Sequence, residues 1–447
     1  MKKLDKRWKM FVYALAGLGI NMLSLMMNSY LCSALLVGGF GEAAIPFQTF
    51  VGKDLVIPAV WAVFAMLAKI LDGVIDIPMA SFTDRLRSRW GRRRPALIIG
   101  FVPMILAYLL FLVIPNPQGA TLLNTVYYGV ILCIFYTSYT LTMVTYYATF
   151  TEIVDNVDER NFISNVKSVC DIVYFILGYV VVRALLNGTN IRVVALLVLP
   201  LAFTMLIPLF MIKENSTLKG DLEVDESVSL IKSFACTFKN SLFIRWMIVY
   251  IFMNFGVQLF LGGINEYFSF VGLNMMIVMS SSFAAVPLTL ILYNKLIKDR
   301  GFGFAYRYVL ITFGIGMTVM FISGISASGV LKTVLSIVGG VICSFAMGAM
   351  FSVAYSIPSE LAAREEKKTG VSNSAMYFAV QGLFTGVSSG IGSGLVLTAL
   401  KGSENSNSQG VKYLTLIAAG AMVISLIMTL TLPKEMISLG QQKKAEE

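Results

Sequence analysis

The chain reads as an all-α polytopic membrane protein whose twelve transmembrane helices form two six-helix bundles. Three observations predict this. Of 447 residues, 57% are hydrophobic and only 13% are charged, against roughly 25% charged in a soluble globular chain. Apolar runs long enough to span a bilayer recur from end to end. The longest polar interruption, residues 214–242, separates six such runs from six.

The first run, 10–36, is too long for the apolar core of a signal peptide, and no small-residue cleavage site follows it. It is therefore read as helix one. Runs 57–82, 96–115, 122–149, 162–187 and 192–213 complete an N-terminal bundle over 1–213. The segment 214–242 is a cytoplasmic linker with a short amphipathic stretch near Leu230–Phe238. Runs 243–271, 275–296, 303–323, 330–356, 372–400 and 412–432 build the C-terminal bundle of 243–447, which ends in a cytoplasmic tail.

The net charge of +10 belongs to the loops. Arg85, Arg87, Arg89, Arg92, Arg93 and Arg94 follow helix two, and the next loop, NPQGATLLN, carries no charge. Lys295, Lys298 and Arg300 follow helix eight, and the next loop, SGISASG, is neutral. The positive-inside rule places the basic loops and both Lys-bearing termini in the cytoplasm. It explains the charge without nucleic acid. The expected setting is the cell (cytoplasmic, inner) membrane, and the expected form is a monomer whose partners are the bilayer and a small solute.

The five cysteines show neither metal nor disulfide spacing. The absence of His excludes a His-based metal site or catalytic triad and leaves proton coupling to carboxylates. Helix eleven holds GLFTGVSSGIGSG, which lacks the Lys and the strand context of a phosphate loop. It reads as close helix packing. No enzyme activity and no cofactor are expected.

Helix two carries Lys69, Asp72 and Asp76 in the run AKILDGVIDIPMASF. A charge in hydrocarbon costs several kcal/mol unless it faces a partner or a water-filled path. The spacing i, i+3, i+7 puts all three on one helical face. Asp72 lies about 15 Å from the cytoplasmic end of its helix, near the bilayer midplane. Two carboxylates one turn apart share a proton or ligate a small hard cation such as Na⁺. Pro78 breaks the local ladder and frees a carbonyl.

Helix five adds Lys167 and Asp171 at i, i+4, read either as a self-neutralising pair or as a Lys that reaches a solute hydroxyl. Helix one offers Asn21, Ser24 and Asn28. Helix seven offers Asn254, Gln258, Asn265 and Glu266. Such polar stripes either glue helices together or line a path. Tyr139, Tyr146, Tyr147, Tyr377 and Phe378 either pack or stack on a sugar face.

The stretch KILDGVIDIPMASFTDRLRSRWGRRRPALIIG resembles the helix 2–3 region of the glycoside–pentoside–hexuronide:cation symporters (melibiose-permease-like) of the major facilitator superfamily. Lys69, Asp72, Asp76, Asp84, Arg89, Trp90, Gly91, Arg92 and Pro95 carry the likeness. The helix-four motif is matched by Tyr139, Thr140, Tyr146, Glu152, Asp158, Glu159 and Arg160. The resemblance implies a major facilitator fold and symport of a sugar or glycoside with H⁺ or Na⁺ by alternating access. It implies a cation site of Asp72, Asp76 and Thr140 beside Lys69. The family's sugar-site Arg falls on Lys167. The chain departs from the family at Ile75, which replaces an Asn cation ligand and favours H⁺ over Na⁺. It departs again at Asn21, Met143 and Gln381, where galactoside contacts are expected.

Asn21, Tyr146, Tyr147, Lys167, Asn254 and Gln381 are the candidate solute contacts. Asp84, Arg85, Arg89, Arg92 and Arg93 form an expected cytoplasmic latch with Glu152 and Glu360. A proton-coupled exporter of drugs or metabolites and a non-transporting solute sensor on the same fold share these features. The direction of flux separates the first, and solute binding without flux separates the second.

Overall fold

The computed structural model of the protein describes residues 3–36, 54–116, 119–153, 166–167, 170–171, 173–186, 189–211, 237–326, 329–369, 374–401 and 409–438. Within these the structure is helical and contains no strand. The chain divides into two compact units, Met1–Asp225 and Glu226–Lys401, the latter together with Ser408–Glu447. Most of the expected linker, with its amphipathic stretch, lies outside the described residues.

In unit one, α1 (Lys3–Leu25) continues through a π-helical turn, Met26–Leu31, and a short 3-10 turn. Next come α2 (Pro58–Val74), α3 (Asp76–Arg85), α4 (Arg93–Phe111) and α5 (Leu122–Ile153). The fifth span is described in part. It has a π turn, Leu177–Val181, and α6 (Val182–Leu186). The sixth holds α7 (Ile191–Ala202) and α8 (Ile207–Met211). In unit two, α9 (Ser241–Gly262) and α10 (Ile264–Val271) form the seventh span, broken at Gly263. Then follow α11 (Met275–Arg300), α12 (Phe302–Ile325), α13 (Gly329–Thr369), α14 (Ser374–Ser389), α15 (Leu397–Lys401), α16 (Leu414–Met428) and α17 (Lys434–Ile437).

Among the described residues nine helices are long and apolar enough to cross a membrane, and a tenth span is bent by 44°. The two remaining expected spans are the second and the fifth. The second carries three charges and breaks at Ile75, and the fifth is only partly described. Helix ten runs beyond its expected end at 356 to Thr369, through Pro358 and the charged sequence SELAAREEKK. Gly329–Met347 is long and apolar enough to cross a membrane; the polar extension is a helix the apolar pattern does not register.

Asn240 starts α9 by accepting from the N–H groups of Leu242 and Phe243. The same side chain donates to Glu365 and to the Tyr377 hydroxyl, at 2.7 and 2.6 Å, which fastens the start of α9 to α13 and α14. Trp246, Phe302 and Tyr306 form an aromatic cluster in the core of unit two. The glycine run of helix eleven is a packing element, as expected. A Cβ on Gly392 would lie 3.1 Å from the Phe255 carbonyl oxygen, and the run winds into a π turn over Gly390–Val396.

Unit two also buries a charge pair. Glu266 on α10 and Lys401 at the end of α15 form a salt bridge, 0% and 5% exposed. Breaking a buried pair by removing one partner costs about 3–5 kcal/mol, because the other charge is left in low dielectric. Glu266→Gln is therefore expected to lower the thermal stability of the detergent-solubilised protein sharply. The double variant Glu266→Gln, Lys401→Met is expected to recover much of the loss. A Glu266→Gln protein that melts at the parental temperature would show that the pair contributes nothing.

Candidate functional site

The second span sorts its residues into two faces. Val63, Leu67, Leu71 and Val74 are exposed, and at 100° per residue they form one stripe. Lys69 and Asp72 lie roughly opposite that stripe and are half-buried, as is Asp76. The charged face is thus directed into unit one, where α2 packs on α5.

The helix breaks where the acids are. α2 ends at Ile75 and α3 begins at Asp76. The Ile75 N–H still bonds the Leu71 carbonyl, and the Met79 N–H bonds that of Ile75. Between them, Pro78 supplies no N–H for the Val74 carbonyl. Asp76 stands in the first turn of α3, where the helix dipole favours a negative charge.

Asp72 Oδ1 accepts a 2.7 Å hydrogen bond from the Thr140 hydroxyl of α5. Lys69 does not pair with either acid among the described residues. Its ammonium sits 4.2 Å from the ring centroid of Tyr136, one turn before Thr140. The Tyr136 hydroxyl reaches Asn28 Oδ1 at 3.4 Å, and the Tyr139 hydroxyl donates to Asn21 Oδ1 at 3.0 Å. One face of α5 therefore meets Lys69 and Asp72 of helix two and the polar stripe of the first span together. Tyr136 is the residue the sequence reading missed. Its spacing of four from Thr140 was the available signal, but nothing in the pattern sets it apart from other buried aromatics.

The remaining candidates are more dispersed. Lys167 pairs with Asp171 at 3.0 Å, and both remain about one-fifth exposed. The Lys167 ammonium lies 5.2 Å from the Tyr147 ring, and Tyr147 is 36% exposed. Tyr146 is placed in helix packing: its ring stacks on Tyr13 at 4.9 Å, and its hydroxyl donates to the Tyr13 carbonyl at 3.0 Å. In unit two, Asn254 is buried and donates to Ser388 at 2.6 Å and to the Thr385 carbonyl at 3.1 Å. Gln381 is buried on α14.

Of the latch residues, Arg89 is exposed and Arg92 half-buried. Arg93 is buried and donates to Thr83 at 3.4 Å, tying α3 to α4. Gly91 has φ +86°, a left-handed conformation that glycine adopts freely, and it turns the loop into α4. The side chains of Asp84, Arg85, Glu152 and Glu360 lie outside the described residues.

Residues 12–433 match the MFS/sugar transport protein family. The chain belongs to the MFS/sugar transport protein family. As a member it is a multi-pass membrane transporter. An uncharacterized symporter, sll1374, of Synechocystis sp. (strain ATCC 27184 / PCC 6803 / Kazusa) is 35% identical over 99 residues, which span 21% of this chain and only 18% of that protein. The nucleoside transporter NupG is 14% identical with TM-score 0.61, covering 97% of this chain and 99% of its own. A bacterial homologue of the human lysosomal transporter Spinster is 12% identical with TM-score 0.57, covering both chains fully at 100%. At such identities the solved structures share the fold with this MFS/sugar transport family member and no more.

Thr140→Val keeps the shape of the side chain and removes the donor to Asp72. The loss of a hydrogen bond to a buried carboxylate costs about 1–3 kcal/mol. Thermal unfolding in detergent is expected to show that loss, with Thr140→Ser near the parent. Equal stability of Thr140→Val and the parent would mean the bond is not formed in the protein.

Proposed function

We propose that the chain is a secondary active transporter that couples uptake of a sugar or glycoside-like solute to a cation by alternating access. Asp72 and Asp76 form the coupling site. The observation that carries this reading is the break of helix two beside two carboxylates, one of them held by a neutral hydroxyl rather than by a counter-charge. Two acids one turn apart repel each other and are costly to desolvate. Binding a cation or proton removes both costs, so the loaded and empty proteins differ in the free energy of closing.

H⁺ is the favoured ion. Ile75 supplies no side-chain oxygen where the resembling family has an Asn cation ligand, which takes one oxygen from a site for a hard cation such as Na⁺. Asp72, Asp76 and Thr140 are the oxygen-bearing side chains of the proposed site. For the solute, unit one offers Asn21 with Tyr139, and Lys167 with Tyr147. A Lys left one-fifth exposed is poorly tolerated against lipid, which favours a water-filled path beside Lys167 and a role in hydrogen bonding solute hydroxyls. The cytoplasmic membrane, cytoplasmic termini and a monomeric form complete the proposal.

Reconstituted vesicles given a panel of sugars and glycosides test it. With an inward H⁺ or Na⁺ gradient, the parent is expected to accumulate one of them. Asp72→Asn and Asp76→Asn are expected to abolish accumulation while leaving downhill exchange measurable. Accumulation at the parental level by both variants would remove the acids from the coupling role. Separately, Lys167→Ala is expected to weaken solute affinity about tenfold, the size of one charge-assisted hydrogen bond. Unchanged solute affinity would return Lys167 to a structural partner of Asp171.

A further inference from the structure

Lys69 lies three residues before Asp72 on the same helix face, and an ion pair between them is the simplest arrangement on that spacing. The protein has a different one. The Lys69 ammonium lies over the Tyr136 ring at 4.2 Å, while Asp72 takes its hydrogen bond from Thr140. The seat is firmly built. Tyr136 is 1% exposed, meets Phe135 edge-on at 5.6 Å and reaches Asn28 in the π turn of the first span through its hydroxyl. Tyr136 and Thr140 stand one turn apart on α5. The same helix face therefore holds the base away from the acid and the acid away from the base.

We propose that Tyr136 is a positioning residue: its ring seats Lys69 and keeps that tethered ammonium out of the Asp72–Asp76 cation site. The inference rests on the assignment of those acids as the coupling site. The physical reason is competition. A cation tethered one turn away acts at a high effective concentration, and at the carboxylates it would oppose entry of Na⁺ or H⁺. The negative face of an aromatic ring, desolvated, holds an ammonium without neutralising any carboxylate. The site thus keeps a basic residue nearby, which lowers the cost of two adjacent acids, without spending an acid on it. The titratable groups that face Lys69 are Asp72 on its own helix, Cys32 from the first span and Tyr136 on α5; Asp76 lies beyond Asp72, and Tyr139 beside Tyr136.

Cation binding by the purified, solute-free protein tests this. The carboxyl infrared bands are followed while Na⁺, and separately acid, is titrated. Tyr136→Met keeps the bulk and removes the ring; it is expected to raise the cation concentration at half-response about tenfold. Tyr136→Phe, which keeps the ring, is expected to retain the parental midpoint. In a Lys69→Gln background, Tyr136→Met is expected to cause no shift, because no tethered cation remains to be released. Tyr136→Leu serves in the same way if the Met variant does not fold. The proposal is overturned if removing the ring leaves the midpoint in place, if the Phe variant shifts as far as Met, or if the shift persists without Lys69. The coupling-site reading fails in a separate way: Asp72→Asn and Asp76→Asn would then leave the cation-sensitive bands unchanged whatever stands at 136.

Discussion

Charge in a low-dielectric interior must be matched, and the arrangement of unit one around its second span follows from that constraint. An isolated charge in hydrocarbon costs several kcal/mol. Helix two carries three, so it cannot turn that face to lipid. Its apolar stripe of Val63, Leu67, Leu71 and Val74 is exposed, and the charges are directed at α5. From that orientation come the Thr140 bond to Asp72 and the Tyr136 seat for Lys69. The polar contacts from α5 back to Asn21 and Asn28 then draw the first span into the same cluster.

The break at Ile75 is the second consequence. A continuous helix would satisfy every carbonyl near the acids internally. Pro78 prevents this, and the chain restarts as α3 with Asp76 in its first turn. Irregular backbone at membrane depth is tolerated where it is buried in protein or lines a water-filled cavity. Here it lies beside two carboxylates: Pro78 supplies no N–H to the Val74 carbonyl, and Asp76 stands in the first turn of α3.

Much of this was legible in the sequence, for reasons tied to particular residues. The three charges and Pro78 are local features, and helical periodicity is enough to align them. Thr140 was reached only through the family resemblance, since its partner Asp72 is 68 residues away. Tyr136 was not reached at all, because a buried tyrosine looks the same whether or not an ammonium rests on it. The salt bridge between Glu266 and Lys401 joins residues on different helices of unit two, and no sequence period connects them. Tyr146 shows the same ambiguity from the other side. Its aromatic character left packing and a sugar platform both open, and reciprocal bonding with Tyr13 puts it in the contact between α1 and α5.

The two units dispose of buried charge in different ways, and the difference bears on where an ion can act. Glu266 and Lys401 neutralise each other in full burial. An ion arriving at Glu266 would have to displace Lys401 and leave it stranded, a loss comparable to breaking the pair. Asp72 faces no such exchange. Its protein partner is a neutral hydroxyl, and a hydroxyl that donates to a carboxylate keeps its own oxygen lone pairs for a cation. Lys69, the one nearby base on its helix face, is held on a ring instead of on the acid. Of these two acids, Asp72 is therefore the one that can gain and lose a cation without stranding a paired ammonium, which is the physical basis for proposing it as part of a coupling site.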